Sequence, residues 1–258
     1  MAEPAPRPTV AGGQPRGVGS GGRGVTLQVA GINTFYGKAH ILFDVALEVH
    51  AGEVVVLLGR NGAGKSTSLK SIIGMVPVHT GSVLFDGVEI TRLKPHEIAR
   101  QGLGYVPEER RIFTDLTVLE NLEVGRQSPR AGVQTWDFER IGRLFPNLAR
   151  MPQRPGGRMS GGEQQMLTIA RTLMGNPRCM LLDEPSEGVA PVIVDQMAVA
   201  IRELKAQGVA ILLSEQNLRF AQEVADRAYI IEKGRIRFSG TMAELDANDE
   251  VRAQYLAI

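Results

Sequence analysis

The stretch that decides the fold of this chain is Gly59-Arg60-Asn61-Gly62-Ala63-Gly64-Lys65-Ser66-Thr67. It contains the pattern G-x-x-x-x-G-K-[ST], which is typical of a loop that holds phosphate groups. The glycines allow a backbone with positive φ and a close approach to an anion. The N–H groups that open the following helix attract negative charge. The pattern predicts that Lys65 reaches the β- and γ-phosphates of a nucleotide and that Ser66 binds Mg²⁺.

The residues on either side of this loop support the same prediction. Residues 53–58 read as a buried parallel strand because they form a nearly continuous aliphatic run. Residues 66–73 read as a helix that stops at Gly74. The alternative is an ordinary glycine-rich turn between a strand and a helix. The strand–loop–helix order around a complete motif favours the phosphate loop.

Two adjacent acids, Asp183 and Glu184, follow a second short apolar run at 179–182. An acid at the carboxyl end of a parallel strand faces the ligand crevice of an α/β sheet. We therefore expect Asp183 to hold Mg²⁺ and Glu184 to polarise an attacking water as a general base. A solvated polar turn after a core strand is the alternative, and the phosphate loop upstream argues against it.

A third motif begins at Ser160 and continues through Gly161, Gly162 and Glu163. Serine followed three residues later by glutamate, before an apolar run of helical period, predicts a capping box at the start of a helix. A glycine-rich helix N-terminus also attracts anions. We interpret the helix N-terminus at Ser160 as the element that contacts the γ-phosphate of a nucleotide held by an opposite chain. The two interpretations are compatible, since such a contact requires a well-capped helix.

Taken together, the motifs resemble those of the ATP-binding subunits of ABC transporters over about residues 26–256. The resemblance is carried by GRNGAGKST at 59–67, VPE at 106–108, MSGGEQ at 159–164, LLDEPS at 181–186 and SEQN at 214–217. The resemblance narrows to one of the two ATPases of branched-chain (hydrophobic) amino acid importers. It is carried by residues 106–122, 160–174 and 183–191. The ATPases of urea and short-amide importers look similar, so both substrate classes stay open.

The resemblance implies ATP and Mg²⁺ as cofactors and a role for Tyr36. In the family, an aromatic residue before the first long strand stacks on the adenine ring, and Tyr36 stands there. Phe35 is the competing candidate, and a half-buried tyrosine on a strand is the plain alternative. In the family, a glutamine in the loop after residues 105–107 senses Mg²⁺ and contacts the membrane partner.

Three residues depart from the family's usual pattern. Glu108 stands where that glutamine is expected, Gln216 where a histidine contacts the γ-phosphate, and Ala190 where an aspartate crosses to the other chain. A glutamate can still ligate Mg²⁺ but adds negative charge near the phosphates. Gln216 can donate a hydrogen bond but cannot become an imidazolium or pass a proton. We therefore expect the site built on Lys65 to hydrolyse ATP slowly and to be one of an unequal pair.

The implied assembly contains several other proteins. The chain is expected to pair with a second, different ABC ATPase subunit, with two membrane-spanning permease subunits and, indirectly, with an external substrate-binding protein. It would lie peripherally on the cytoplasmic face of the inner membrane and couple ATP hydrolysis, through Lys65, Glu184 and Gln216, to transport. A weakly catalytic regulatory cassette is the alternative, which Gln216 supports and the intact Lys65, Ser66, Asp183 and Glu184 oppose.

Bulk composition argues against other classes of function. The 258 residues include 29 basic and 28 acidic ones, for a net charge of +1. So balanced a charge creates no positive electrostatic field that would attract nucleic acid or anionic lipid. This disfavours an ABC ATPase that acts on nucleic acid or ribosomes. Its single cysteine, Cys179, cannot form an internal disulfide and falls in a predicted core strand, where a packing role is expected.

The expected fold is α/β: a P-loop ABC ATPase fold with a mainly parallel sheet core, an N-terminal antiparallel β edge and an inserted helical subdomain at about 91–160. The Gly/Pro-rich composition of residues 1–24 predicts a disordered tail. Residues 25–258 are expected to form a single domain. Within that domain, a helix is expected over 136–145, a hairpin over 228–239 and a final helix over 242–256.

Overall fold

The structure is a computed structural model that describes residues 24–256 of the chain. The predicted tail at 1–24 lies outside the described residues except for Gly24. The strands are β1 (Val25–Tyr36), β2 (Ala39–His50), β3 (Val54–Leu58), β4 (Val78–Phe85), β5 (Val88–Glu89), β6 (Leu103–Val106), β7 (Cys179–Asp183), β8 (Ala210–Glu215), β9 (Arg227–Glu232) and β10 (Arg235–Thr241).

The α-helices are α1 (Lys65–Ile72), α2 (Pro95–Gln101), α3 (Val118–Gly125), α4 (Phe138–Leu144), α5 (Pro146–Ala149), α6 (Gly161–Leu173), α7 (Pro191–Ala206), α8 (Leu218–Val224), α9 (Met242–Asp246) and α10 (Asp249–Tyr255). A short 3₁₀ turn, Gly156–Arg158, precedes α6. None of the helices in this described part of the chain has the length and apolar character needed to cross a membrane.

The strands form two sheets. Six of them make a sheet in the order β10-β9-β3-β8-β7-β6, in which only the β9–β10 hairpin is antiparallel. The other four make an antiparallel sheet in the order β2-β1-β4-β5. This arrangement confirms the predicted parallel core with an N-terminal antiparallel edge. The first sheet is the one that positions the site.

Strand register brings the carboxyl ends of three strands to one edge. Leu58, the last residue of β3, pairs with Glu215 at the end of β8. Asp183, the last residue of β7, pairs with Ser214 of β8. Because parallel strands end at the same side of a sheet, the phosphate loop and the paired acids meet there.

The hydrophobic core has two parts, one on each face of β3. Val54, Val56 and Leu58 pack with α6 and α7 on one face. Val55 and Leu57 pack with α1 and the antiparallel sheet on the other. All five residues are fully buried, which explains why this strand reads as a continuous aliphatic run. Cys179 is also fully buried in β7, and burial raises the pKa of its thiol, as a packing role requires.

Three boundaries differ from the sequence predictions. The segment 91–160 is not wholly helical, because β6 lies within it and pairs with β7. The helix expected over 136–145 begins at Phe138, where the Asp137 carboxylate caps it, and Pro146 starts a further short helix instead of a loop. The final helix is broken, because the Asn248 side chain accepts a hydrogen bond from Val251 N and starts a new helix.

Gly234, in the turn between β9 and β10, joins the two sheets to the phosphate loop. Its carbonyl accepts a hydrogen bond from Phe43 N at 2.8 Å, and its N–H donates to Ala63 O at 2.8 Å. It has a φ of 73°, and a Cβ placed on it would lie 1.8 Å from Ile41 O. Only glycine allows β2 to approach this turn so closely.

We expect Gly234→Ala to destabilise the chain more than Gly87→Ala. Gly87 also has a positive φ, of 77°, but a Cβ there would meet nothing within 4 Å. Both substitutions carry the left-handed backbone penalty, about 1–2 kcal/mol. Gly234→Ala adds a steric clash worth about 1–3 kcal/mol. Urea unfolding of both variants measures the difference, and equal losses would show that the hairpin relaxes away from β2.

Candidate functional site

The phosphate loop is shaped by its glycines and by the hairpin beneath it. Gly64, directly before α1, has a φ of 114°, and a Cβ there would lie 2.9 Å from Leu42 Cδ2. A Cβ on Gly59 would lie 2.5 Å from Ile231 O. These close approaches leave the loop's N–H groups and the N-terminus of α1 as a cradle for phosphate oxygens.

Lys65 lies at the centre of the site and is 3% exposed. Its ammonium donates to Gly59 O at 2.7 Å and to Arg60 O at 3.2 Å. It also forms an ion pair with Glu184, with 3.1 Å between Nζ and Oε1. A buried charge is tolerated only when it is paired and hydrogen-bonded, and this lysine satisfies both conditions.

Glu184 connects Lys65 to Gln216. Its backbone lies in the left-handed region, with a φ of 44°, and its N–H donates to Ser214 O and to Ser214 Oγ, both at 3.1 Å. Its Oε2 accepts a hydrogen bond from Gln216 Nε2 at 3.3 Å, and the same amide donates to Glu187 Oε2 at 3.1 Å. The structure thus brings together Lys65, Glu184 and Gln216, which the sequence predicted as catalytic residues.

Asp183 is fully buried at the end of β7, and both of its oxygens have donors. Oδ1 accepts from Ser214 Oγ at 2.7 Å, and Oδ2 accepts from the Tyr105 hydroxyl at 3.0 Å. Burial raises the pKa of Tyr105 strongly, and the charge of Asp183 raises it further, so Tyr105 stays a hydrogen-bond donor. The sequence did not single out Tyr105, because β6 was not predicted beside β7.

Glu108 is exposed on the loop after β6, close enough to Glu184 and Asp183 for their charges to act on it. Partial burial raises the pKa of its carboxyl, and the charges of Glu184 and Asp183 raise it further. Its position is consistent with the prediction that it lies near the phosphates.

The oxygen donors around the loop have the right chemistry for Mg²⁺. The predicted ligands are Ser66 in the first turn of α1, Asp183 and Glu108, which offer hydroxyl and carboxylate oxygens. Within residues 24–256 there is no cluster of three or more His, Cys, Asp or Glu side chains able to hold a metal. Mg²⁺ usually keeps several waters and completes its coordination with substrate phosphates, so this sparse set of ligands fits it.

Glu215 is a buried acid that the sequence analysis did not select. It is 1% exposed and accepts three backbone hydrogen bonds, from Ser186 N at 3.1 Å and from Gln216 N and Asn217 N at 3.2 Å each. It therefore fixes the turn that follows Glu184 against the turn that carries Gln216. Its place at the end of a buried strand, inside the SEQN motif, was the signal that could have identified it.

The capping box predicted at Ser160 is present at the start of α6. Ser160 Oγ accepts from Glu163 N at 3.4 Å, and Glu163 Oε2 accepts from Ser160 N at 2.7 Å. A Cβ on Gly162 would lie 2.8 Å from Ile193 of α7, so only glycine allows this close packing. No hydrogen bond or ion pair in the described structure joins Ser160 to the Lys65 cluster, and its contact with a nucleotide on another chain stays a prediction.

Tyr36 ends β1, opposite Ala39, and is 49% exposed. Its neighbour Phe35 stacks on His40, with 4.1 Å between ring centroids, and meets His79 edge-on at 5.2 Å. Because the ring of Phe35 is already stacked, Tyr36 is the better candidate for an adenine ring, and this role stays a prediction.

Ala190, directly before α7, is exposed and supplies no side-chain cap.

Comparison with known proteins decides the family. Residues 42–187 match the ABC transporter family. The chain is also 44% identical over 225 residues to the high-affinity branched-chain amino acid transport ATP-binding protein BraG of Pseudomonas aeruginosa, covering 87% of this chain and 97% of that protein. The chain belongs to the ABC transporter ATP-binding proteins. The fold and ATPase predictions are thereby confirmed: the chain is an ATP-binding, ATP-hydrolysing subunit of the kind that works with membrane permease subunits.

Two further similarities show the breadth of this family. The lipopolysaccharide export system ATP-binding protein LptB of Haemophilus influenzae is 35% identical over 223 residues, covering 86% of this chain and 92% of that protein. The crystal structure of a nucleotide-free ATP-binding cassette from an ABC transporter superposes with a TM-score of 0.77 at 28% identity, covering 91% of this chain and 99% of that one. ABC ATPases of this shape therefore serve different substrates.

We expect Glu215 to make stability depend on pH. Burial raises its pKa above the ordinary value of 4.5, although the backbone donors oppose the shift. A carboxyl whose pKa is raised on folding contributes stability below its unfolded pKa, and that stability is lost as pH rises through the folded pKa. Wild type should therefore lose stability relative to Glu215→Gln as pH rises from about 4.5 toward neutrality.

Urea unfolding of the wild type and of Glu215→Gln at several pH values measures this difference. The exposed Glu203 on α7 offers a matched control, Glu203→Gln, which should track the wild type. Parallel stability profiles for wild type and Glu215→Gln would show that the backbone hydrogen bonds fully offset the burial of this carboxyl.

Proposed function

We propose that this chain is the ATP-binding subunit of an importer that takes up branched-chain or other hydrophobic amino acids. The ATPase role follows from the convergence of the phosphate loop, Lys65 and Glu184 at one sheet edge. The substrate class rests on one observation, the 44% identity to BraG across nearly the whole of that protein.

A second candidate function has its own support. The similarity to LptB, 35% identity over 86% of the chain, favours the same ATPase role in lipopolysaccharide export. We rank it second because BraG is more similar by nine percentage points over a similar length, 44% against 35%. The ATPase chemistry is the same in both cases.

ATP would be held mainly by the backbone and side chains of the phosphate loop. Its adenine would stack on the exposed ring of Tyr36. Lys65 would exchange its bonds to Gly59 O, Arg60 O and Glu184 for bonds to phosphate oxygens. The binding residues are Gly59, Arg60, Asn61, Gly62, Ala63, Gly64, Lys65, Ser66 and Thr67.

Ser66, Asp183 and Glu108 would hold Mg²⁺. The ion neutralises charge on the β- and γ-phosphates when it is bound. Asp183 keeps its orientation through the hydroxyls of Ser214 and Tyr105. A carboxylate with both oxygens already hydrogen-bonded is suited to an indirect contact through water.

Hydrolysis would use Glu184 as the general base. Once Lys65 has turned to phosphate, the Glu184 carboxylate is free to accept a proton from the attacking water. Gln216 holds that carboxylate by an amide hydrogen bond of 3.3 Å to Oε2. Because the amide stays neutral, Gln216 orients the base without adding the charge that a histidine could supply.

The partners proposed are a second, different ATPase subunit, two permease subunits and, indirectly, an external binding protein, assembled on the cytoplasmic face of the membrane. Ser160, Gly161, Gly162 and Glu163 would close on ATP held by the second ATPase. Gln216 would weaken this chain's own ATP site and leave Ser160 intact. We therefore propose two unequal sites, the slower built on Lys65 and the faster completed by Ser160.

We expect Glu184→Gln in this chain to lower turnover of the reconstituted transporter less than the corresponding change in the second ATPase. Loss of a positioned general base lowers the rate at a working site about 10²–10⁴-fold. The slower site contributes little to that rate. Phosphate release from the two single-variant complexes measures the comparison, with ATP binding as the control. Equal loss in both complexes would contradict unequal sites.

Uptake measurements test the substrate class. In cells lacking this chain, we expect labelled leucine uptake to fall and to be restored by wild type but not by Lys65→Ala, which removes the ammonium from the phosphate loop. Urea uptake is measured in parallel. Normal leucine uptake with lost urea uptake would move the assignment to a urea-type importer. Normal uptake of both with failed lipopolysaccharide export would favour the second candidate.

A further inference from the structure

Arg110 lies on the loop between β6 and α3, and α6 holds that loop in place. The Arg110 carbonyl accepts a hydrogen bond from the buried Thr168 Oγ1 at 2.8 Å. The next carbonyl, of Arg111, accepts from Arg171 Nη2 at 2.7 Å. Both donors belong to α6, so this helix anchors the loop at two consecutive carbonyls.

The Arg110 guanidinium is packed between two glycines. A Cβ on Gly161 would lie 2.6 Å from Nη1, and a Cβ on Gly188 would lie 3.9 Å from Nη2. Gly161 is the first residue of α6, directly after Ser160. A side chain at Gly161 would displace the guanidinium, so the glycine motif makes room for this arginine.

This charge has no carboxylate partner in residues 24–256, whereas the Arg111 guanidinium pairs with Glu109 at 3.5 Å. A cation at a helix N-terminus is also in the unfavourable orientation, because that end carries partial positive charge. Glu163, in the first turn of α6, accepts a hydrogen bond from the Ser160 N–H at 2.7 Å and forms no ion pair with Arg110 in the described residues. An anion brought by another molecule would offset this cost.

We propose that Arg110 contacts the γ-phosphate of the ATP carried by the second ATPase subunit, alongside Ser160. This inference rests on the proposed function, in which the α6 end closes on that ATP. A guanidinium presents paired N–H donors that match phosphate oxygens. The Arg110 guanidinium lies against Gly161, and its carbonyl is bound by Thr168, so this arginine is attached to α6. It therefore strengthens the partner's site and leaves this chain's own site unchanged.

The test uses the complex purified through a tag on this chain, with its ATPase and permease partners. We expect Arg110→Gln to raise the ATP concentration needed for half-maximal turnover about tenfold or more, the usual effect of losing a charged hydrogen bond. Arg110→Lys should recover part of the loss. Arg111→Gln is the matched control, because Arg111 also has a positive φ, 48° against 65°, and pairs with Glu109.

A second measurement separates contact with the partner's ATP from contact with the chain's own. ATP affinity of the isolated chain, measured with a fluorescent ATP analogue, should be unchanged in Arg110→Gln and reduced in Lys65→Ala. Equal loss of affinity in both variants would overturn the inference, as would a variant complex with the ATP dependence of wild type. If the wild-type complex shows no ATP-dependent turnover, the proposed function fails first and this inference with it.

Discussion

The buried ammonium of Lys65 is the constraint on which the rest of the site depends. A cation that is 3% exposed must be compensated, and the loop carbonyls and the Glu184 carboxylate do this. The compensation requires β7 to end level with β3, although the two strands are separated by β8. It also requires Glu184 to adopt a positive φ, which turns its side chain toward the loop. The order of the strands thus places Glu184, directly after β7, where it can pair with the Lys65 ammonium.

Local signals predicted the parts of the site that a few neighbouring residues determine. The β3 strand, the phosphate loop and α1 follow from aliphatic residues, glycines and a lysine in sequence order. The sequence did not predict β6, because a four-residue edge strand beside helices carries little periodic signal. Tyr105 and Glu215 were missed for a related reason. They bind partners 78 and 29 residues away, Asp183 and Ser186, and no local pattern shows which groups such side chains contact.

The loop after β6 connects regions that are far apart in sequence. Just before it, in β6, the Tyr105 hydroxyl donates a hydrogen bond to Asp183. In its middle, the Arg110 carbonyl is fixed to Thr168 of α6. At its end, the fully buried Asn121 of α3 binds the N–H and carbonyl of Phe113. Asp183 is thus linked to α6 and to α3 by a continuous path of hydrogen bonds and backbone.

Gln216 leaves the net negative charge of the site unchanged, because its amide is neutral. Glu184 and Glu187 share its single amide group, while Lys65 is the one cation paired with Glu184 in the described structure. Asp183 and Glu108 add further negative charge nearby, which the raised pKa of Glu108 reflects. A histidine could carry positive charge there, but an amide cannot. ATP is itself an anion, so Lys65 and a bound Mg²⁺ would together have to offset the charge of these acids. The acids suited to binding Mg²⁺ are then the same acids that repel ATP, and this balance of charge supports the proposal of two unequal sites.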